Sequence, residues 1–445
     1  MNSGISILSL SGLVALPAIG FAQQQETRPN VVIILADDIG YGDLGWLGSK
    51  TIETPNVNRL GNEGIRFSNC HATSATSTPS RYGLLTGMYP WRRNDTGIAP
   101  GDAAMIIKPE QYTMADMFKD AGYATAAIGK WHLGLGDKAG KQDWNGEVTP
   151  GLKDIGFDYS FIMAGTSDRV PCVFRGNGRA VNLDKNDPIE VSYTTPFPGE
   201  PTATTHPELM RMLPSDGHNM AIVDGVPRIG YMRGGKSALW HDEDIADRIT
   251  DKAIQFIASN NKKPFFLYFG TNDIHVPRVP NERFVGKSGM GPRGDAILSF
   301  DYCVGRVMHA LDSLGIADNT LIILSSDNGP VLDDGYQDKA VELLGNHKPG
   351  GVYRGGKYSI FEAGTRVPCI VWWKKGITKP AVSNALVSQL DFYASLSTLI
   401  NSKIPKNAAT DSQNELNALL GKTQSSRNYL VEQNLHNTLS IDNNN

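Results

Sequence analysis

Cysteine is scarce: four (Cys70, Cys172, Cys303 and Cys369) in 445 residues, none in a CxxC or zinc-finger spacing. That excludes a disulfide scaffold and makes thiolate-held zinc an unpromising reading. An excess of charge of either sign is missing too. The 42 Lys and Arg against 46 Asp and Glu leave a formal net charge of −4, so neither nucleic acid nor an anionic membrane surface is expected as the main partner. Past the first two dozen residues there is no apolar run of the ~20 residues needed to span a bilayer, and stable membrane insertion is not expected. Internal repeats are absent. The length suits two or three domains of roughly 150 residues, or one large α/β domain with an appendage.

What is present begins with a leader. Residues Ile5 to Ala22 are apolar, uncharged and rich in small side chains, and Gly20-Phe21-Ala22 precedes a polar Gln23-Gln24-Gln25. This reads as the apolar stretch and small-x-small cleavage site of a signal peptide over residues 1–22, although no Lys or Arg precedes it. A membrane anchor would need about 20 unbroken apolar residues, and Pro17 interrupts these. The expected location is therefore the bacterial periplasm or the exterior, where calcium is freely available.

Four later segments share one design. Val31-Val32-Ile33-Ile34-Leu35 runs into Asp37-Asp38, and Tyr123 to Gly129 runs into Lys130-Trp131-His132. Pro264 to Phe269 runs into Asn272-Asp273-Ile274-His275, and Thr320 to Leu324 runs into Asp327-Asn328. Runs that are apolar at every position suit strands buried on both faces of a parallel sheet. Helical periodicity at Met114–Ala121 and Glu243–Ser259 supplies crossovers. Strands alternating with helices predict a doubly wound α/β fold, a large mixed, mostly parallel sheet flanked by helices. Its ligand site lies beyond the carboxyl ends of the strands. Asp, Asn and Gly often just terminate strands. Four such ends carrying carboxylates, a lysine and two histidines point instead to a single active site.

The stretch from about Asn177 to Lys236 is rich in Pro, Gly and Thr and weakly periodic, as expected of a long excursion that shapes a pocket. From about Lys379 a short helix (Leu390 to Ile400) leads into polar, Asn-rich sequence, and Asp442-Asn443-Asn444-Asn445 is expected to be disordered. The expected organisation is a catalytic domain over 29–378 and a small, shortened C-terminal α+β subdomain over 379–445.

The most specific stretch is Ser77-Thr78-Pro79-Ser80-Arg81-Tyr82-Gly83-Leu84-Leu85-Thr86-Gly87. A hydroxyl residue before Pro79 in the first turn of a helix, with Arg81 one turn on, would bring backbone N–H groups, the helix dipole and a guanidinium beside the Ser77 side chain. Such a setting stabilises an oxyanion next to a nucleophile. A plain helix cap is the alternative for Ser77 taken alone.

Ser77-x-Pro79-x-Arg81 followed by Leu85-Thr86-Gly87 resembles the signature of the formylglycine-dependent sulfatases of the alkaline phosphatase superfamily. So do Gly122-Tyr123-Ala124-Thr125 through Gly129-Lys130-Trp131-His132, Asp37-Asp38 with Gly40-Tyr41-Gly42-Asp43, Asp327-Asn328-Gly329, and Gly356-Lys357 with Phe361 to Gly364. These blocks run from about residue 29 to 375. The resemblance implies that Ser77 is oxidised to Cα-formylglycine, and a Ser rather than a Cys at this position implies the oxygen-independent, anaerobic-type sulfatase-maturating enzyme as a partner. It implies a calcium ion held by Asp37, Asp38, Asp327, Asn328 and the modified Ser77, the all-oxygen shell calcium prefers. In the implied reaction one hydroxyl of the hydrated aldehyde attacks sulfur, and the leaving alcohol takes a proton from His275 or Lys357. His132 then deprotonates the second hydroxyl to release sulfate. Arg81, Lys130 and Lys357 would hold the diol and the sulfate. Family members usually continue past a segment like Leu439-Ser440-Ile441 into further strands.

The pattern is closest to the arylsulfatase A and N-acetylgalactosamine sulfatase relatives, so a sulfated saccharide of galactose or N-acetylgalactosamine is the expected substrate. His218, His347 and Arg354 are candidate substrate contacts, with Asp168, Arg169, His206, Arg233 and Lys236 as further polar residues. Two other readings compete. A phosphomonoesterase or phosphonate hydrolase with unmodified Ser77 would need two zinc ions and more His ligands at strand ends than His132 and His275. A glycan-binding protein without the aldehyde would have no use for the complete set Lys130, His132, His275 and Lys357.

Overall fold

The structure is a computed structural model that describes Met1 and residues 28–47 and 49–443. Apart from Met1, the expected signal peptide lies outside the described residues, as do 444 and 445.

The all-apolar runs form the centre of a ten-stranded sheet, in chain order β1 (Asn30–Ala36), β2 (Ile65–Phe67), β3 (Ala124–Lys130), β4 (Tyr159–Met163), β5 (Phe174–Gly176), β6 (Arg179–Ala180), β7 (Phe265–Gly270), β8 (Thr320–Ser326), β9 (Cys369–Trp372) and β10 (Ala381–Ser383). Their order across the sheet is β10-β2-β9-β8-β1-β7-β3-β4-β5-β6. β8, β1, β7, β3 and β4 run parallel, while β9 and β5 pair antiparallel at the two flanks. Every residue of β1, β3, β7 and β8 is buried, as strands covered on both faces must be. Each buried Val, Ile or Leu contributes roughly 1.5–3 kcal/mol by leaving water.

The helices that cover the sheet are α1 (Pro55–Glu63), α2 (Ser77–Thr86), α3 (Met114–Asp120), α4 (Ile245–Ser259), α5 (Gly291–Ser313) and α6 (Phe392–Leu399). None among the described residues is long and apolar enough to cross a membrane. α3 starts on a Thr113 cap closed reciprocally by Asp116.

Register decides where the site lies. Ala36 pairs with Ser326, Leu35 with Gly270, and Gly270 with Gly129, so the four parallel strands end level and their next residues leave one edge together. At Gly129 φ is 94° and a Cβ would lie 1.9 Å from the Gly270 carbonyl oxygen, so only glycine fits before Lys130.

The C-terminal segment corrects one expectation. Asp442 and Asn443 are part of a strand, β12 (Leu439–Asn443), paired antiparallel with β11 (Tyr429–Gln433). This hairpin docks on the chain leading into α2: Ala75 N–H donates to Gln433 O (2.9 Å) and Gln433 N–H to Thr73 O (3.1 Å). A composition of Asn and Asp says nothing of the main-chain partners that order it.

Candidate active site

Ser77 is the first residue of α2, and all ten residues of that helix are buried. Its Oγ receives a hydrogen bond from Lys130 Nζ at 2.8 Å and lies 3.3 Å from Asn328 Oδ1. Lys130, the last residue of β3, also donates to Asp37 Oδ1 at 2.6 Å and approaches Asp327 Oδ2 at 3.6 Å. Asn328 Nδ2 donates to Asp38 Oδ1 (2.7 Å), and Lys357 Nζ donates to Asp38 Oδ2 and Asp334 Oδ2, both at 2.8 Å. The structure thus gathers Ser77, Asp37, Asp38, Lys130, Asp327, Asn328 and Lys357 at the sheet edge.

Arg81 takes a different position from the one its spacing suggests. Its Nε and one terminal nitrogen both donate to Asp327 Oδ2 (3.0 and 2.8 Å), and the other reaches Lys130 O and Tyr268 Oη. The guanidinium holds Asp327 and the end of β3 and is not among the groups lining the cavity.

That cavity, about 160 Å³, is lined by Ser77, His132, His275 and Lys357, by Asp168, Arg169 and His218, by Asp334 and Tyr358, and by Ile98 and Ile229. His132 donates from Nε2 to Ala99 O at 2.9 Å, which leaves Nδ1 buried with no partner. Burial first, then the positive charges of Lys130, Arg169 and Arg81, hold its pKa well below the usual histidine value. It is a neutral base with a free lone pair. His275 donates from Nδ1 to Val276 O (2.7 Å), and burial with Lys357 and Lys130 lowers its pKa to about 4. Lys357 is the reverse case. Burial would discharge it, but Asp334 and Asp38 outweigh that and raise its pKa well above the ordinary value.

The carboxylates fit a hard cation. Asp37 Oδ2 is buried without a partner, and ligand atoms of Asp37, Asp38 and His275 all lie within 4.8 Å of one another. Burial raises the Asp37 pKa strongly; Lys130 opposes this, and the Asp327 and Asp38 charges add to it. For Asp327 burial is outweighed by Arg81 and Lys130, and the pKa falls. An oxygen-rich, crowded, partly orphaned set of this kind suits a divalent ion with hard-ligand preference.

The expected substrate contacts divide. His218 lines the cavity, its Nε2 2.9 Å from Asp168 Oδ2, and Arg169 donates to the same carboxylate at 3.0 Å. Burial is overcome by Asp168 and the His218 pKa rises. His347 is elsewhere: its Nε2 bonds Asp43 Oδ1 and its Nδ1 Thr51 Oγ1, 2.7 and 2.6 Å away, so both ring nitrogens are engaged in the core. Arg354 is exposed and stacks on Phe361, 3.9 Å from the ring centre. His206, Arg233 and Lys236 are also off the cavity, with Arg233 paired to Glu190. Asp334 and Tyr358 were not anticipated. Asp334 spans Lys357 and Tyr358 Oη (2.7 Å), and an acidic residue in an irregular loop carries no periodic signal.

A mostly parallel sheet whose strand ends present a helix-borne hydroxyl, a lysine and a carboxylate cluster defines a hydrolase of the alkaline phosphatase-like superfamily. The sulfatase family pattern matches residues 29–402. The chain belongs to the sulfatase family and is a sulfuric ester hydrolase. It is 57% identical over 418 residues to an N-acetylgalactosamine-6-O-sulfatase of Bacteroides thetaiotaomicron, covering 94% of this chain and 81% of that protein. To human arylsulfatase A it is 31% identical over 412 residues, covering 90% and 70%. A solved structure from work on the metabolism of multiple glycosaminoglycans by Bacteroides thetaiotaomicron superposes with a TM-score of 0.92 at 57% identity, over 94% of this chain and 86% of that one.

Proposed function

We propose that the protein is an exported carbohydrate sulfatase that removes the 6-O-sulfate of N-acetylgalactosamine, with Ser77 converted to formylglycine by an anaerobic-type maturating enzyme in the producing cell. The sugar and the position rest on the relative at 57% identity and its name. The carrying observation for the chemistry is the setting of Ser77 Oγ. It lies 2.8 Å from a buried ammonium that also holds Asp37, in a cavity that His132 lines, and both His132 Nδ1 and Asp37 Oδ2 are without partners.

Asp37, Asp38, Asp327 and Asn328, with the modified Ser77, would hold a calcium ion, which would supply positive charge against the sulfate oxygens. A formylglycine at position 77, once hydrated, would supply a nucleophilic hydroxyl and a second hydroxyl for the release of sulfate. The chain's residues do the rest. Lys130 Nζ orients the residue-77 oxygen and offsets the negative charge on it. His132 Nδ1 accepts a proton at the release step, because its other nitrogen is committed to Ala99 O. His275 Nε2 and Lys357 Nζ are the two groups able to hand a proton to the leaving oxygen. Of these, Lys357 is kept charged by two carboxylates, which suits it to holding an anion, so His275 takes the acid role once a bound anion favours its imidazolium. The Asp168–His218 pair and Arg169 offer charged donors and acceptors to sugar hydroxyls.

Mass spectrometry of the Ser77 peptide, after expression with and without a maturating enzyme, tests the modification. Loss of two hydrogens from Ser77, with sulfate released from N-acetylgalactosamine 6-sulfate in preference to the 4-sulfate, is expected. An ordinary serine in an active enzyme overturns the scheme. Export is tested by N-terminal sequencing of the periplasmic or secreted protein, which should begin near Gln23.

A further inference from the structure

Thr78 stands next to Ser77, in the unassigned position of the Ser77-x-Pro79-x-Arg81 motif, and is fully buried. Its hydroxyl closes a small ring of hydrogen bonds around His132. Thr78 Oγ1 donates to the His132 carbonyl oxygen at 3.0 Å. Thr78 Oγ1 also accepts the Ala99 N–H, at 3.2 Å. The Ala99 carbonyl in turn accepts His132 Nε2–H at 2.9 Å. One hydroxyl therefore holds both the main chain of His132 and the residue that its ring leans on.

Both ends need holding. His132 has φ of 59°, a left-handed conformation that costs a non-glycine residue of order 1 kcal/mol or more unless its surroundings fix it. Its N–H donates to Ala164 O (3.1 Å), and Thr78 supplies the partner for its C=O. Ala99 lies in the irregular chain between α2 and α3, where no ladder fixes its carbonyl. The direction of that carbonyl selects the tautomer. An acceptor at Nε2 demands Nε2–H, which leaves Nδ1 as the basic atom, whereas the Nδ1–H tautomer would set two lone pairs against each other at 2.9 Å.

We propose that Thr78 is a positioning residue for the sulfate-release step: through Ala99 and the His132 main chain it keeps His132, whose ring lines the cavity, in the Nε2–H tautomer with Nδ1 unpartnered. The inference rests on the reading of His132 as the base and adds the residue that makes it one. It also assigns a task to the second motif position distinct from modification at the first, because Thr78 touches neither Ser77 Oγ nor the cavity.

The test compares Thr78→Val, which keeps the shape and removes the hydroxyl, with Thr78→Ser, which keeps the hydroxyl. The first readout needs no modification. Two-bond nitrogen–proton NMR spectra of protein carrying unconverted Ser77 report the His132 tautomer, with signals assigned by their loss in His132→Gln. Wild type and Thr78→Ser should show Nε2–H, and Thr78→Val should show a mixture of tautomers. The second readout is kinetic, normalised to formylglycine content by mass spectrometry. Thr78→Val should lower kcat about tenfold with KM within about twofold, and Thr78→Ser should restore kcat, the size expected for one lost positioning hydrogen bond. A Thr78→Val protein that keeps pure Nε2–H overturns the inference, whatever its kcat. So does wild type showing Nδ1–H, which stands even if Thr78→Val does not fold. Failure of Ser77 to be converted in any form sinks the proposed function instead, and leaves the tautomer comparison to decide this one.

Discussion

Replacing His71 by Gln removes a fully buried imidazole that ties the C-terminal hairpin to the chain entering α2. His71 Nδ1 lies 2.7 Å from Glu432 Oε1 on β11, and Nε2 lies 3.1 Å from Asp442 Oδ2 on β12. Burial alone would discharge this ring, but Glu432 and Asp442 outweigh it and raise its pKa to about 10. The folded pKa exceeds the unfolded one, so the stabilisation is complete below about 6.5 and is lost as pH rises through about 10. The rise from 6.5 to about 10 corresponds to roughly 5 kcal/mol at 1.36 kcal/mol per pH unit. Removing one partner of a buried pair strands the other, at a similar cost of about 3–5 kcal/mol. His71→Gln should therefore be less stable than wild type by several kcal/mol at pH 6.5, and the gap should close toward pH 10. Urea unfolding of both proteins across that range measures it, since titrating groups remote from His71 cancel in the difference. A gap independent of pH would refute the imidazolium, and a variant as stable as wild type at pH 6.5 would refute the clamp.

Four further outcomes follow from the site. His132→Ala should lose turnover by at least about 100-fold, as expected for a lost general base, and should trap a sulfuryl adduct visible in intact-mass spectra; normal cycling would remove His132 from the release step. Asp37→Asn should weaken calcium binding by about tenfold or more in calorimetry and reduce the calcium-induced rise in Tm, because Asp37 Oδ2 is the orphaned ligand atom. Chelation of wild type should abolish activity, reversibly. His218→Ala should raise KM for N-acetylgalactosamine 6-sulfate with less effect on kcat, and equal losses in both would place His218 in the chemistry instead.

Much of this arrangement was legible in the residues because it depends on local signals. Strands apolar at every position, such as Val31 to Leu35, can only be buried on both faces, and their polar ends then share an edge. Ser77 before Pro79 marks a helix start whatever surrounds it. What could not be read depends on the partner chosen in three dimensions. Nothing near Arg81 in sequence says that Asp327 will claim its guanidinium, and nothing beside His347 says that Asp43 will take its Nε2. Asp334 earns its place only because Lys357 arrives from another loop. The order of Asp442 comes from β11, its hairpin partner, and from His71, which is remote in sequence.

Charge counting explains why these pairings matter to a reaction on an anion. The inner cluster holds four carboxylates (Asp37, Asp38, Asp327 and Asp334) against three cations (Arg81, Lys130 and Lys357), each of them already in an ion pair. With all four carboxylates ionised, that leaves one surplus negative charge where a sulfate ester, itself singly negative, must bind. At about 4 Å and an effective dielectric near 20, each such pair of like charges costs about 4 kcal/mol. The buried cations cannot be spared for substrate without stranding their carboxylates, which is costlier still. A divalent ion bound at this carboxylate set would reverse the surplus from one negative to one positive. The lysines would then be free to face the anion while the carboxylates they leave stayed compensated. The three buried cations hold the carboxylates in place, and with a divalent ion bound the cluster would present a net positive face to the sulfate.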